Sequence, residues 1–161
     1  MSPFRLGAIA AVIALAIDQA FKLAMLGPYA MAEKGRIAVA PFLDLILVWN
    51  RGVSYGLLEQ GSEAGRWLLI AIGLAGAGLF SYWLWRADRV LPALSLGLII
   101  GGALGNVIDR IAYGAVADFF LIHIGAFEWY VFNLADVWIV AGVIGMILAW
   151  LTERPQNARK S

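Results

Sequence analysis

Cysteine is missing from all 161 residues, which removes disulfides, thiol nucleophiles and cysteine-ligated metals together. Histidine is almost as scarce. His123 stands alone, so a zinc site would need its other ligands from different residue types, and no metal or cofactor is expected. Charge is thin too: 14% Asp, Glu, Lys and Arg, a net +1, and no basic cluster, so nucleic acid is not a partner. P-loop and dinucleotide fingerprints are missing, because the glycines at 101–105 lie inside an apolar run. Ser54, Ser81 and Ser95 have no histidine or lysine placed to activate them, which weakens any case for a serine nucleophile.

What the chain has in quantity is apolar surface, with 62% hydrophobic residues and a mean hydropathy of +0.81. A soluble domain of this length could not hide it, so residues 1–161 read as a single integral membrane domain. Seven tryptophans suit the interfacial belts of such proteins.

Four runs are long enough to cross a hydrocarbon core of about 30 Å: residues 6–26, 66–86, 91–110 and 132–151, with outer loops at 27–65 and 111–131. Ala14-Leu15-Ala16 has the small-residue look of a signal-peptide cleavage site, but the first run continues past it and further spans follow. Asp18 and Lys22, in D-Q-A-F-K, share one helix face one turn apart and can pair. Gly27-Pro28 ends that helix, and Leu43 to Trp49 reads as a strand. It enters N-R-G-V-S-Y-G at 50–56, a turn in which Asn50 can bond the backbone. Gly73, Gly76 and Gly78 point to close helix contact in the second span, and Arg86 to Arg89 is a tight connector that makes spans two and three antiparallel neighbours.

The third span carries two stripes at i, i+4. Gly97, Gly101 and Gly105 form a small-residue packing seam, while Gly102, Asn106 and Arg110 form a second seam that turns polar at one membrane face. Asp109 beside it admits a plainer reading, a helix end capped by an Asp109–Arg110 pair. Phe119 to Ile124 and Phe127 to Phe132, split by Gly125-Ala126, read as a hydrophobic interfacial hairpin on which His123 is exposed or interfacial and has no role. Asn133 and Asp136 fit the N-cap and N3 of the last helix, and the polar tail from Glu153 to Ser161 reads as disordered. Lys and Arg divide six and six between the two sides, but one set is concentrated in two short tails and a four-residue connector. That density places both termini in the cytoplasm and the polar helix ends outside.

Asp118 and Asp136 then lie at one membrane face with Asn50, Asn106, Arg110 and Asn133. Acids at the edge of membrane helices are costly to keep and point to function. Two close carboxyls share a proton near neutral pH, so one can be base to a water while the other donates to a carbonyl, which is amide hydrolysis without a metal. Two other classes stay open at this point. A transporter or proton channel would use Asp18, Lys22, Asp118 and Asp136 as relay groups, though no inverted repeat accompanies them. A structural subunit would use the acids only as helix caps.

In five pieces the chain resembles the bacterial lipoprotein signal peptidases (signal peptidase II): D-Q-A-F-K at 18–22, N-R-G-V-S-Y-G at 50–56, G-G-A-L-G-N-V-I-D-R at 101–110, V-A-D-F-F at 116–120 and F-N-L-A-D-V-W-I at 132–139. The resemblance implies an all-α membrane protein of four transmembrane helices with a small extracytoplasmic β-cradle and both termini cytoplasmic. It implies an aspartic peptidase with Asp118 and Asp136 as catalytic dyad. Asn50, Gly52, Asn106, Arg110 and Asn133 would shape the pocket and support the dyad, and Asp18 and Lys22 would hold the first helix. The substrate would be a diacylglyceryl-modified prolipoprotein, cut before its lipobox cysteine at the outer face of the plasma (inner) membrane. Membrane lipid and globomycin-type inhibitors are the other expected partners, and the protein is expected to be a monomer. Tyr55 departs from the family's usual phenylalanine. The substrate's apolar helix is expected between spans along the glycine stripes of the third helix, with the 53–63 region as a lid over the site.

Overall fold

The computed structural model describes residues 1–52 and 63–152. Four long helices dominate: α1 (Pro3–Leu26), α3 (Glu63–Trp85), α4 (Val90–Tyr113) and α5 (Leu134–Thr152). The shortest has 19 residues, about 29 Å at 1.5 Å per residue, a match to the apolar thickness of a bilayer. All four are long and apolar enough to cross a membrane. The first three begin a little earlier than their hydropathy indicates. For α1 the cause is local: Ser2 caps Arg5 N–H, and Pro3 occupies the first turn, where its missing N–H costs nothing. At the far end α4 runs on to Tyr113, where Gly114 takes a left-handed φ of 75° and returns its N–H to Arg110 O.

α4 is the central helix. Of its apolar window 56% is buried, against 22% for α1 and 17% for α3 and α5. Its glycines explain how. A Cβ at Gly97 would lie 2.2 Å from Gly7 O and one at Gly101 2.5 Å from Ala11 O, so this stripe is filled by the main chain of α1. A Cβ at Gly102 would come within 2.3 Å of Ala135 O, and one at Gly142 within 2.5 Å of Ser95 O, so the other face is filled by α5. The stripes therefore serve the protein's own helices, and the expectation that a substrate helix uses them does not hold. Of the three α3 glycines expected at a helix contact, Gly73 makes a close approach, to Val107, while Gly76 and Gly78 have nothing within 4 Å. Ser95 donates to Leu91 O within its own helix, as a serine without chemistry does.

A four-stranded antiparallel sheet, β1-β2-β3-β4 in order, sits on the helices. Its strands are β1 (Ile37–Ala40), β2 (Leu43–Asn50), β3 (Val116–Ile124) and β4 (Phe127–Phe132). β1 and the single-turn helix α2 (Met31–Lys34) are too short to announce themselves by period. Met31 is nonetheless fully buried and joins Met25, Ala117 and Phe119 in a cluster that seats β3 on the end of α1. Phe21 stacks on Phe120 and meets Phe119 edge-on within the same contact. β3 begins at Val116, three residues before the sequence estimate, and so takes Asp118 into the strand.

The strands are also tied by charge. Arg36 bonds both Asp44 and Glu128, and His123 Nε2 lies 3.3 Å from Asp44 Oδ2. Burial acts to raise the Asp44 carboxyl, but Arg36 and His123 together hold it below its ordinary range. His123 is thus half-buried against an acid, not exposed. Ser54, Tyr55, the 53–62 part of the expected lid and the tail from Glu153 lie outside the described residues.

Candidate active site

Four chain segments deliver the site: the end of β2, the last turns of α4, the start of β3 and the junction of β4 with α5. In the sheet register Val48 faces Asp118 and Asn50 faces Val116. Asn50 and Asp118 are therefore diagonal neighbours on one face, within side-chain reach, and Asn50 Nδ2 donates to Asp118 Oδ2 at 3.1 Å. The Asn50 side-chain oxygen accepts Gly52 N–H at 3.0 Å. Gly52 has φ 115°, and a Cβ there would lie 2.6 Å from Leu69 Cδ1, so backbone and space both call for glycine.

At the start of α5 the capping box forms as its spacing predicts. Asp136 N–H donates to Asn133 Oδ1 at 3.1 Å, and Asn133 N–H donates to Asp136 Oδ2 at 3.3 Å. The two amide protons of Asn133 are spent elsewhere, on Asp118 Oδ1 at 2.6 Å and Asn106 Oδ1 at 3.1 Å. Asn106 passes the link on by donating to Asp136 Oδ1 at 2.9 Å. Asn133, fully buried, thus bonds both carboxyls directly and Asp136 a second time through Asn106.

Asp118 is 1% exposed. Burial pushes its carboxyl up to about 6, against the hydrogen bonds from Asn133 and Asn50, with the charge of Asp136 adding to the rise. Arg110, half-buried, donates to Asn106 O at 3.1 Å. Its guanidinium is within electrostatic reach of Asp118 and Asp136, and its Nε has no partner among the described residues. Such a pair can hold one proton between two acids, with a fixed cation beside it. That is the equipment for activating a water and polarising a carbonyl. The described residues contain no group of His, Cys, Asp and Glu suited to a metal ion.

Asp18 and Lys22 are not in this hub. They pair at 2.9 Å, as their i, i+4 spacing implies, but Lys22 also meets Asp109 Oδ2 at 2.8 Å. The Asp109–Arg110 pair is not formed, because successive residues point about 100° apart on a helix: Asp109 faces α1 while Arg110 faces the hub. Tyr130 escaped the sequence reading altogether. Its hydroxyl accepts from Asn50 Nδ2 at 3.3 Å, and burial, with the charges of Asp118 and Asp136, holds its phenol above the ordinary value. Only its place three residues before Asn133 could have signalled it.

Residues 10–152 match the family model described as signal peptidase (SPase) II. The chain is 52% identical to the lipoprotein signal peptidase of Methylorubrum extorquens (strain PA1) over 156 residues, 97% of this chain and 91% of that one. It is 54% identical to the lipoprotein signal peptidase of Beijerinckia indica subsp. indica over 148 residues, 92% of this chain and 89% of that one. Among solved structures it resembles a bacterial membrane enzyme determined by the in meso method, with a TM-score of 0.79 and 26% identity over 96% of this chain and 93% of that one. The chain belongs to the signal peptidase II family of aspartic peptidases, as a multi-pass protein of the bacterial inner membrane.

Proposed function

We propose that Asp118 and Asp136 are the catalytic dyad, and that the substrate is a prolipoprotein carrying a diacylglyceryl group on its lipobox cysteine, cut just before that cysteine. The observation that carries the reading is Asn133, which bonds a carboxylate oxygen of Asp118 and one of Asp136 at once. Asp136 receives Asn133 N–H and Asn106 Nδ2 at a helix N-terminus, so donors orient both of its oxygens. Asp118, raised by burial to about 6, carries the shared proton at the start. In the forward step Asp136 takes a proton from water, the water oxygen bonds the scissile carbon, and Asp118 gives its proton to the carbonyl oxygen. In collapse the C–N bond breaks as Asp136 gives its proton to the leaving amine, and a hydroxyl of the gem-diol returns its proton to Asp118, which restores the single-proton dyad.

Asn50 and Asn106 orient the acids, Gly52 lets the chain pass close to Leu69, and Arg110 meets the substrate main chain or the developing charge. Asp18 and Lys22 hold α1. The sheet is extracytoplasmic, the site faces outward, and both termini are cytoplasmic; the density of Lys and Arg in the connector at 86–89 and the tails supports this. A substrate anchored by its lipid presents the scissile bond at the bilayer surface, where the start of β3 and the first turn of α5 hold the acids. Globomycin-type peptides occupy the same site, and the enzyme works as a monomer.

A gel-shift cleavage assay tests this. A diacylglyceryl-modified prolipoprotein is incubated with enzyme in liposomes, with and without globomycin. Cleavage before the lipidated cysteine, blocked by the inhibitor, is expected. Equal cleavage of the unmodified precursor would overturn the substrate reading.

A further inference from the structure

Asp18, Lys22 and Asp109 form a cluster away from the dyad, all at 2% exposure or less. Lys22 Nζ stands between the two acids, at 2.9 Å from Asp18 and 2.8 Å from Asp109. Gln19 Nε2 also donates to both, at 3.1 Å each. The remaining lone pairs of the two acids do something more specific. Asp109 Oδ2 accepts Ala117 N–H at 3.2 Å, and Asp18 Oδ1 accepts Ala135 N–H at 2.9 Å. Ala117 directly precedes Asp118, and Ala135 directly precedes Asp136.

We propose that this cluster is a positioning clamp for the reaction: Asp109 holds the β3 main chain beside Asp118, Asp18 holds the α5 main chain beside Asp136, and Lys22 with Gln19 sets the distance between those two grips. The inference rests on the dyad assigned above and deepens it.

The topology explains why such a clamp is required. β4 ends opposite Phe120, so the part of β3 carrying Asp118 has lost its strand neighbour on that side. Its Ala117 N–H is buried and would otherwise lack an acceptor. The α5 end has the same need, since Ala135 is in the first turn of a helix whose early N–H groups have no partner within it. Hydrogen bonds to charged acceptors are short, directional and stronger than neutral ones. A simple helix staple would need only the Lys22–Asp18 pair within α1 and one partner on α4. It would not need both acids to reach main chain one residue ahead of each dyad member.

Reacting groups lose rate steeply when misplaced by an ångström, so the clamp acts on kcat more than on KM. Asp109→Ala removes the Ala117 acceptor but leaves Lys22 paired with Asp18, so no buried lysine is stranded. It is expected to lower kcat about 100-fold with KM within threefold of wild type, and the deficit is expected to persist when assayed far below the variant's melting midpoint. Gln19→Met, which removes no charge, is expected to lower kcat about tenfold and is decisive should Asp109→Ala fail to fold. Wild-type kcat in whichever folded variant decides, or a deficit that vanishes at low temperature, would overturn the proposal and leave a structural staple. Asp118→Asn and Asp136→Asn are run in the same liposomes. If they cleave normally, it is the dyad assignment that has failed, a result separable from anything the Asp109 and Gln19 variants do.

Discussion

Asn133 donates a side-chain proton to Asp118 Oδ1 over 2.6 Å while lying at the N-cap of the helix that carries Asp136. A residue that only capped α5 would have no reason to reach across to β3. The bond couples the last helix to the sheet at the point where two acids meet, and the predictions follow from that coupling.

Asp118→Asn and Asp136→Asn each remove a proton-transferring group while keeping the size and one of the two hydrogen bonds that the acid accepts. Each is expected to lower cleavage by about 10³-fold or more, with unchanged insertion into membranes. Gel-shift cleavage of a lipidated precursor, alongside size-exclusion profiles of the purified variants, measures both.

Asn133→Ala deletes two amide donors and the acceptor for Asp136 N–H in a fully buried position. Leaving those partners unsatisfied costs roughly 1–3 kcal/mol. Thermal unfolding in detergent is expected to show that loss, with kcat down about 100-fold because both acids lose a common reference.

The pH dependence of stability has a definite sign at Asp118. Its carboxyl is raised to about 6 in the fold, above its unfolded value, so the folded state binds that proton more tightly. Its ionised form is therefore the one the fold disfavours, and stability falls as pH rises through about 6. Asp118→Asn cannot titrate. The difference in melting midpoint between Asp118→Asn and wild type is expected to move in the variant's favour from pH 5 to pH 8. A flat difference across that range would contradict the burial assigned to Asp118.

Glycine substitutions separate packing from mere presence. Gly101→Val drives a side chain into the main chain of α1 at Ala11, with an expected cost of roughly 1–3 kcal/mol or more. Gly76→Ala, with nothing within 4 Å, is expected to be neutral or to gain up to about 1 kcal/mol of helix propensity. Unfolding midpoints of the two variants in the same detergent make the comparison.

Much of the architecture was legible beforehand because membrane helices declare themselves locally. About twenty apolar residues suffice, whatever surrounds them, and α1, α3, α4 and α5 all met that test. The α5 capping box and the Asp18–Lys22 pair were legible for the same reason, since partners three or four residues apart on a helix find each other without help from the rest of the fold. The two acids stood out because carboxylates at membrane edges are rare.

Other features belonged to the tertiary structure alone. Asp109 could have paired with its neighbour Arg110 or with a distant lysine. The choice of Lys22 follows from how α4 is rotated against α1, which is set by Gly97 and Gly101 meeting the α1 main chain. His123 gained Asp44, which Arg36 also bonds, as a partner only when the strands aligned in register. The sequence by itself determined which segments enter the membrane and which side chains can exchange protons. Their distances were decided by packing between segments up to 117 positions apart, as between Asp18 and Ala135, because burial and partner choice depend on all the neighbours a folded chain assembles.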